Sequence, residues 1–277
     1  MTNDTERPDA PALQFTIDDG IAVVALDRPS KMNSLNPELV CRLADAWDTI
    51  ADDPTVRVAI VTGTGDRAFC TGADLGRLIP LFTRARRPDD EWDERLLADR
   101  TLLDRALLRR TDFTVPVIAA VRGFALAGGT ELMLGADIRI VADDSEFGLT
   151  EVTRGIIPAG GGLSRLARQV PWARAAEIVL VGDRIDARTA FDIGLVNRIV
   201  PSDEVMGVAR GLAERMARNG PLAMRAAKEV MVTSNGMPFA DAFAVESKVA
   251  GRVMKSSDAV EGPRAFIEKR EPRFTGS

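Results

Sequence analysis

Three runs, VRVAIVTG (56–63), VPVIAAV (115–121) and DIRIVA (137–142), are apolar at almost every position. A strand with one face in water alternates apolar and polar side chains, so a strand apolar on both faces has to be covered on both. The cover available here is helical. ELVCRLADAWDTIADD (38–53) places Leu39, Leu43, Trp47 and Ile50 at helical spacing, with Asn36 as N-cap and Pro37 in the first helical position. GGTELMLGA (128–136) is a short helix between two of the apolar strands. Strands of this kind alternating with helices predict an α/β fold. Upstream, LQFTIDDGIAVVALDRP (13–29) reads as a hairpin of strands 13–17 and 21–26 turning at Asp19-Gly20.

The pattern changes near Pro201. Four segments punctuated by Gly, Pro, Ser and Asp carry apolar stripes at helical spacing, which makes 201–277 an all-helical C-terminal region. None of these helices is long, so the group must pack on the main domain, on another subunit, or on both. Residues 1–12, polar, acidic and proline-containing, are expected to form a flexible tail, which leaves 13–200 as the core.

Composition narrows the chemistry. A formal net charge of -5 argues against nucleic acid as a partner, since phosphate binding needs a basic surface. The chain has no histidine and only two cysteines, Cys41 and Cys70, so no usual zinc set and no disulfide framework can form; no metal and no cofactor is expected. Every histidine-based acid/base scheme is also gone, and proton transfer falls to Asp, Glu, Lys, Cys or water. Arg122 interrupts the best apolar run well short of the roughly 20 residues that span a bilayer. A reduced, cytoplasmic protein with no membrane segment is the expectation.

Against that background GFALAGGTEL (123–132) places a carboxylate among small and apolar residues. A helix beginning at Gly128 presents free amides to an approaching oxygen. Glu131, one turn on, leans back toward them. The same residue read alone is an acid complementing a helix dipole, and this segment does not separate the two readings. RAFCTGADL (67–75) offers a second turn of free amides after a strand, at Gly72, Ala73 and Asp74, with Asp74 as an N-cap for the segment beyond; EFGLTEVTRGIIPAGGGLSRL (146–166) sets Glu151 before a glycine-rich loop.

Taken together and in order, LDRPSKMNSLN, FCTGADL, GFALAGGTELMLGADIRI, FGLTEVTRGIIPAGGGLSRL, ARTAFDIGLVNRIV and AFIEKR resemble the enoyl-CoA hydratase/isomerase (crotonase) superfamily over about residues 13–270. The resemblance implies a spiral of ββα units followed by a helical trimerisation region, assembled as a homotrimer or dimer of trimers. It implies an acyl-CoA thioester substrate whose carbonyl lies between the backbone N–H groups of Ala73 and Gly128. Glu131 and Glu151 match the two glutamates of relatives that hydrate trans-2-enoyl-CoA. By the same resemblance Glu131 deprotonates the water added at C3 and Glu151 delivers the proton at C2. Lys31, Asp74 and Leu75 would line the arm of the site that takes coenzyme A, and Phe266 with Lys269 would reach the coenzyme A of a neighbouring subunit. Other reactions of the superfamily, Δ3-Δ2 isomerisation or dehydration of a hydroxyacyl-CoA, keep the same enolate chemistry, and an acyl-CoA-binding protein without turnover keeps only the site.

The chain departs from the family pattern in places. Gly76 stands where a lysine often follows the GAD turn, so Arg77 supplies that charge or the contact is lost. Phe124 replaces a frequent tyrosine. Arg154, three residues after Glu151, either pairs with that carboxylate or recognises a polar or carboxylated acyl chain. The segment RLIPLFTRARRPDDEWDERLL (77–97) reads as charged and irregular and corresponds to the variable region that shapes the acyl pocket.

Overall fold

The computed structural model describes residues 11–277. The hairpin forms as expected. β1 (Leu13–Asp18) and β2 (Ile21–Leu26) pair antiparallel, Leu13 opposite Leu26, and Asp19 and Gly20 both take positive φ, 48° and 75°, as a tight hairpin turn requires. α1 (Pro37–Asp52) comes next, its first turn closed by the Asn36 side chain, which accepts from the Leu39 amide at 2.9 Å. From there the chain repeats one pattern of a long strand, a short strand and helix. β3 (Val58–Gly63) and β4 (Ala68–Cys70) lead to α2 (Leu78–Phe82), α3 (Glu91–Ala98) and α4 (Leu102–Ala106). β5 (Val117–Val121) and β6 (Phe124–Leu126) lead to α5 (Gly128–Gly135). β7 (Ile138–Ala142) and β8 (Glu146–Gly148) lead to α6 (Gly162–Gln169) and α7 (Trp172–Val181), after which β9 (Ile185–Asp186), α8 (Ala187–Asp192) and β10 (Arg198–Val200) complete the core.

The long strands make a six-stranded sheet in the order β1-β2-β3-β5-β7-β10, parallel from β2 onward. The short ones make a second sheet, β4-β6-β8-β9, in which only the last pair is antiparallel. Each turn of the spiral therefore gives one strand to each sheet, and the helices that come after β4, β6 and β8 start from one side of the small sheet. This is the crotonase fold, and it places the loops carrying Ala73, Gly128 and Glu151 next to one another.

The continuous apolar strands are explained by what covers them. Ala59, Val61, Ala119 and Val121 face the main core with Leu39, Trp47, Phe69 and Phe147. Val58, Ile60, Ile118 and Ile140 face α9 (Val205–Ala217), whose Val205, Ala209 and Ala213 are fully buried on them. The boundary drawn at residue 200 from composition thus cuts through a packed unit, because α9 belongs to the core. Only α10 (Pro221–Thr233), α11 (Phe239–Val253) and α12 (Ser257–Ile267) are peripheral; α11 buries Val249 alone and leaves Phe239 80% exposed.

Two further expectations need correction. Ala12 is not part of a tail: it is 3% exposed, its N–H donates to Glu38 Oε1 at 3.2 Å and its carbonyl accepts from Asp27 at 2.8 Å. Residues 1–10 of the expected tail lie outside the described residues. The 77–97 segment is ordered rather than irregular. Leu78, Leu81 and Leu96 are buried, and Arg86 holds the fully buried Asp93 with both of its terminal nitrogens. Asp90 caps α3 by accepting from the Asp93 amide at 2.8 Å. Among the described residues no helix is long and apolar enough to cross a membrane.

Candidate active site

The turn after β4 and the start of α5 abut. Gly72 has φ 87°, and a Cβ there would stand 2.6 Å from the Ala127 Cβ and 3.0 Å from the Gly128 nitrogen, so only glycine lets the two turns meet. A Cβ on Gly128 would lie 3.9 Å from the Ala73 nitrogen, which sets the two amides side by side. Neither amide donates to another group among the described residues, and both line a cavity of about 590 Å³. Ala127 takes a positive φ of 51°, a costly conformation for an alanine, and is held there by its N–H donating to Gly148 O at 2.7 Å. Thr130 completes the seat of α5: its hydroxyl donates to Ala125 O at 2.6 Å and accepts from the Gly148 amide at 3.2 Å. The free amides, rigidly set and without acceptors, can both donate to one oxygen placed between them.

Glu131, one turn into α5, lines the same cavity and is 4% exposed. Its Oε1 accepts from the Gly160 amide at 2.7 Å and the Gly162 amide at 2.8 Å, on the loop that leads into α6. Burial raises its carboxyl above the ordinary value; the two amides, then Arg165 and Arg109, oppose that rise without cancelling it.

Glu151 opens a 3₁₀ turn, Glu151–Arg154, beyond β8 and is 7% exposed. Its Oε2 is buried and has no hydrogen-bond partner. Burial pushes the carboxyl up to about 7; its own backbone amide pulls the other way, the neighbouring Glu131 charge adds to the rise, and Arg154 opposes it. Arg154 does not pair with Glu151. Its Nη1 donates to Thr150 O at 3.3 Å and Thr153 Oγ1 at 3.0 Å, at the exposed rim of the cavity, so that alternative fails and the guanidinium keeps its charge at the cavity wall.

The remaining expected residues divide. Lys31, Asp74 and Leu75 line the cavity with Ala73 and Gly128. Asp74, however, is already engaged: its side chain accepts from Arg28 at 3.1 Å and from the Gly76 and Arg77 amides at 3.0 and 3.1 Å, so it shapes the turn. Arg77 does not stand in for the missing lysine at Gly76, because its guanidinium pairs with Asp89 and Asp90 and lies outside the cavity lining. Phe266 is 84% exposed, and it and Lys269 lie outside this chain's own cavity. Phe124 lines the cavity beneath Arg184, whose guanidinium carbon is 4.9 Å from the ring centroid.

Sequence reasoning missed the amides of Gly160 and Gly162 and the partner of Asp74, Arg28. The glycine run at 160–162 was the available signal for the first; nothing in the order of residues pointed to the second. Leu78, Ile79 and Phe82 from α2, within the 77–97 segment, Leu103 from α4, then Leu107 and Ile156 are apolar members of the cavity lining.

Two adjacent free amides and two buried glutamates thus share one cavity. The sequence model of the enoyl-CoA hydratase/isomerase family matches residues 16–277, and the chain belongs to that family. It is 36% identical over 252 residues to enoyl-CoA hydratase EchA19 of Mycobacterium tuberculosis (strain ATCC 25618 / H37Rv), covering 91% of this chain and 92% of the relative. It is 37% identical over 269 residues to carnitinyl-CoA dehydratase of Escherichia coli (strain K12), covering 96% and 98%. The crystal structure of an enoyl-CoA hydratase from Mycobacterium tuberculosis H37Rv superposes with a TM-score of 0.85 at 39% identity, covering 97% of this chain and all of that one (100%). Members of this family act on acyl-CoA thioesters, and the relatives named are enzymes.

Proposed function

We propose that the protein adds water across the double bond of a trans-2-enoyl-CoA to give a 3-hydroxyacyl-CoA. The observation that carries this reading is the burial of Glu131 and Glu151 in one cavity with the amides of Ala73 and Gly128. The thioester oxygen sits between the two amides. Glu131, as carboxylate, takes a proton from water as its oxygen bonds to C3; the electron pair of the double bond moves onto the thioester oxygen, where the amides stabilise it. Glu151, as neutral acid, then gives its proton to C2. One proton returned from Glu131 to Glu151 restores both, and the balance is the addition of one water. Oxyanion donors of this kind contribute about 2.7–4 kcal/mol each and a positioned proton-transfer group about 10²–10⁴-fold.

The wall formed by Leu78, Ile79, Phe82, Leu103 and Leu107 supports an apolar acyl chain beyond C3. Lys31 and Leu75 line the side assigned to coenzyme A, which is part of the substrate; no separate cofactor is invoked. Assembly as a homotrimer or dimer of trimers accounts for the exposed Trp172, Leu180, Phe239, Phe243 and Phe266, and lets Phe266 and Lys269 act on a neighbour's coenzyme A.

The test is the loss of conjugated-thioester absorbance on adding the protein to trans-2-enoyl-CoAs of graded length, with the 3-hydroxy product identified by mass spectrometry. No product from any of them sinks the reading. Dehydration of a polar 3-hydroxyacyl-CoA is the second reading, supported by Arg154 at the rim and by the likeness to a carnitinyl-CoA dehydratase. Faster turnover of a charged 3-hydroxyacyl-CoA than of crotonyl-CoA would favour it.

A further inference from the structure

Arg165, in the motif GGGLSRL, has no part in the chemistry just described, yet its guanidinium sits where three pieces of the site meet. Its Nη1 donates to Leu107 O at 3.0 Å and to the backbone oxygen of Glu131 at 3.5 Å, and its Nη2 donates to Leu108 O. The guanidinium also packs against Gly135, at the end of the helix that carries Glu131, and against Gly161, between the two amides that hold the Glu131 carboxylate: a Cβ on either glycine would stand 3.1 or 3.3 Å from Nη1. Leu108 takes a positive φ of 52°, a conformation that leucine adopts only under constraint, and its carbonyl is one of those on Arg165. No carboxylate lies within ion-pair distance of Arg165 among the described residues, so a cation is held in a half-buried place on carbonyl oxygens alone. A neutral strut could satisfy those carbonyls at lower desolvation cost. Keeping the charge there needs another reason.

We propose that Arg165 is a positioning residue: it ties the acyl-pocket wall at Leu107 and Leu108 to the α5 backbone and to the turn of Gly160–Gly162, and thereby sets the place of the Glu131 carboxylate and keeps a positive charge facing it. The inference rests on the hydratase reading for its kinetic consequences but not for its electrostatic one. The charged groups that face Glu131 are Arg165 from α6, Arg109 from the segment after α4, and Glu151 from the 3₁₀ turn beyond β8. Of these, only Arg165 also bonds the backbone of Glu131 itself.

Arg165→Met and Arg165→Lys test it. In protein labelled with ¹³C-glutamate, the Glu131 carboxyl resonance, assigned with Glu131→Gln, is titrated in wild type and both variants. Removing the cation should raise the Glu131 titration midpoint by about one pH unit in Arg165→Met, and Arg165→Lys should restore most of it. In steady-state hydration, Arg165→Met should lower kcat by about 10²-fold with KM changed less than about threefold, the signature of a misplaced group rather than lost binding. Its acid limb in kcat/KM should move up with the NMR midpoint. An unchanged Glu131 midpoint in a folded variant overturns the proposal, as does activity that falls only in step with the folded fraction. If Arg165→Met does not fold, Arg165→Lys decides: wild-type kcat in that variant overturns it, because lysine keeps the charge but cannot span three acceptors. A wild type with no hydratase activity removes the hydratase reading and leaves the carboxyl titration standing as the test.

Discussion

Glu131 and Glu151 share a cavity and are both buried, yet their surroundings differ in kind. One oxygen of Glu131 takes two short bonds from backbone amides, with two guanidinium groups behind them, whereas one oxygen of Glu151 is buried with no bond at all. Donors aimed at a carboxylate stabilise its charge; burial without donors removes the charge by favouring the proton. Burial raises both carboxyls above their ordinary value, but the amides hold Glu131 back while Glu151 goes up to about 7. In the proposed hydration this difference suits Glu131 to the part of base and Glu151 to that of acid, without histidine.

The sharpest way to break this comparison is to neutralise each glutamate in turn. Glu131→Gln should lose about 10²–10⁴-fold in kcat and Glu151→Gln a similar amount, each measured as hydration of a trans-2-enoyl-CoA. The double variant should be little worse than the worse single, because the two act in one sequence of proton transfers. Equal activity in either single variant and wild type would remove that glutamate from the reaction. Gly160→Ala tests the held carboxylate from the other side. Its Cβ would meet Leu107 Cδ1 at 2.2 Å and Glu131 Oε2 at 2.8 Å; the leucine can turn away, but the carboxylate must leave the amides to make room. A displacement of that order should cost about 10²-fold in kcat while acyl-CoA binding, read by calorimetry, survives.

How much of this was visible in the residue order depends on whether a feature has a period or a side chain of its own. The two-sided apolar strands, the Asn36-capped helix and the Asp19-Gly20 hairpin each carry local signals, and each is found where those signals put it. The short strands β4, β6, β8 and β9, two or three residues long, are too brief to show alternation, and they exist because neighbouring turns of the spiral align them. The 77–97 segment misled because its order comes from Arg86 on Asp93 and Arg77 on Asp90, pairings that look like an unstructured charge run when read in line. Glu131 and Glu151 were legible as a pair through the family resemblance. What separates them was not, since the difference lies in the amides of Gly160 and Gly162 and in the bond Oε2 of Glu151 lacks.

The carboxyl of Glu151, with one oxygen unbonded, has a thermodynamic consequence. Glu151 is pushed up to about 7 from an ordinary 4.5, so the folded protein holds its proton more tightly than the unfolded chain does. The stabilisation this represents is complete below about 4.5 and disappears as pH rises through 7, reaching at most about 3 kcal/mol across that window. A glutamine at this position has no charge to bury. Glu151→Gln should therefore be inactive and more stable than wild type at pH 8, with the gain vanishing near pH 5; thermal melts at the two pH values measure it. A Tm difference independent of pH would mean that Glu151 is not held neutral. The same titration should appear in the rate. The proposed hydration needs Glu151 protonated, so kcat/KM should fall above about 7, by roughly tenfold per pH unit, and the fall should track the free enzyme.

The smallest effect discriminates most finely between the two carboxyls. Arg154 lies within reach of Glu151 electrostatically but bonds Thr150 and Thr153 at an exposed rim, where solvent screens it. Because its charge favours the Glu151 carboxylate, Arg154→Met should raise the alkaline limb of kcat/KM by less than about half a pH unit and leave the acid limb, set by Glu131, where it was. A shift in both limbs would place the guanidinium over the shared space between the glutamates. If instead both limbs hold still and KM rises for a carboxylated acyl-CoA but not for an apolar one, Arg154 reads the acyl chain, and the contrast between the two glutamates rests on the Gly160 and Gly162 amides and burial alone.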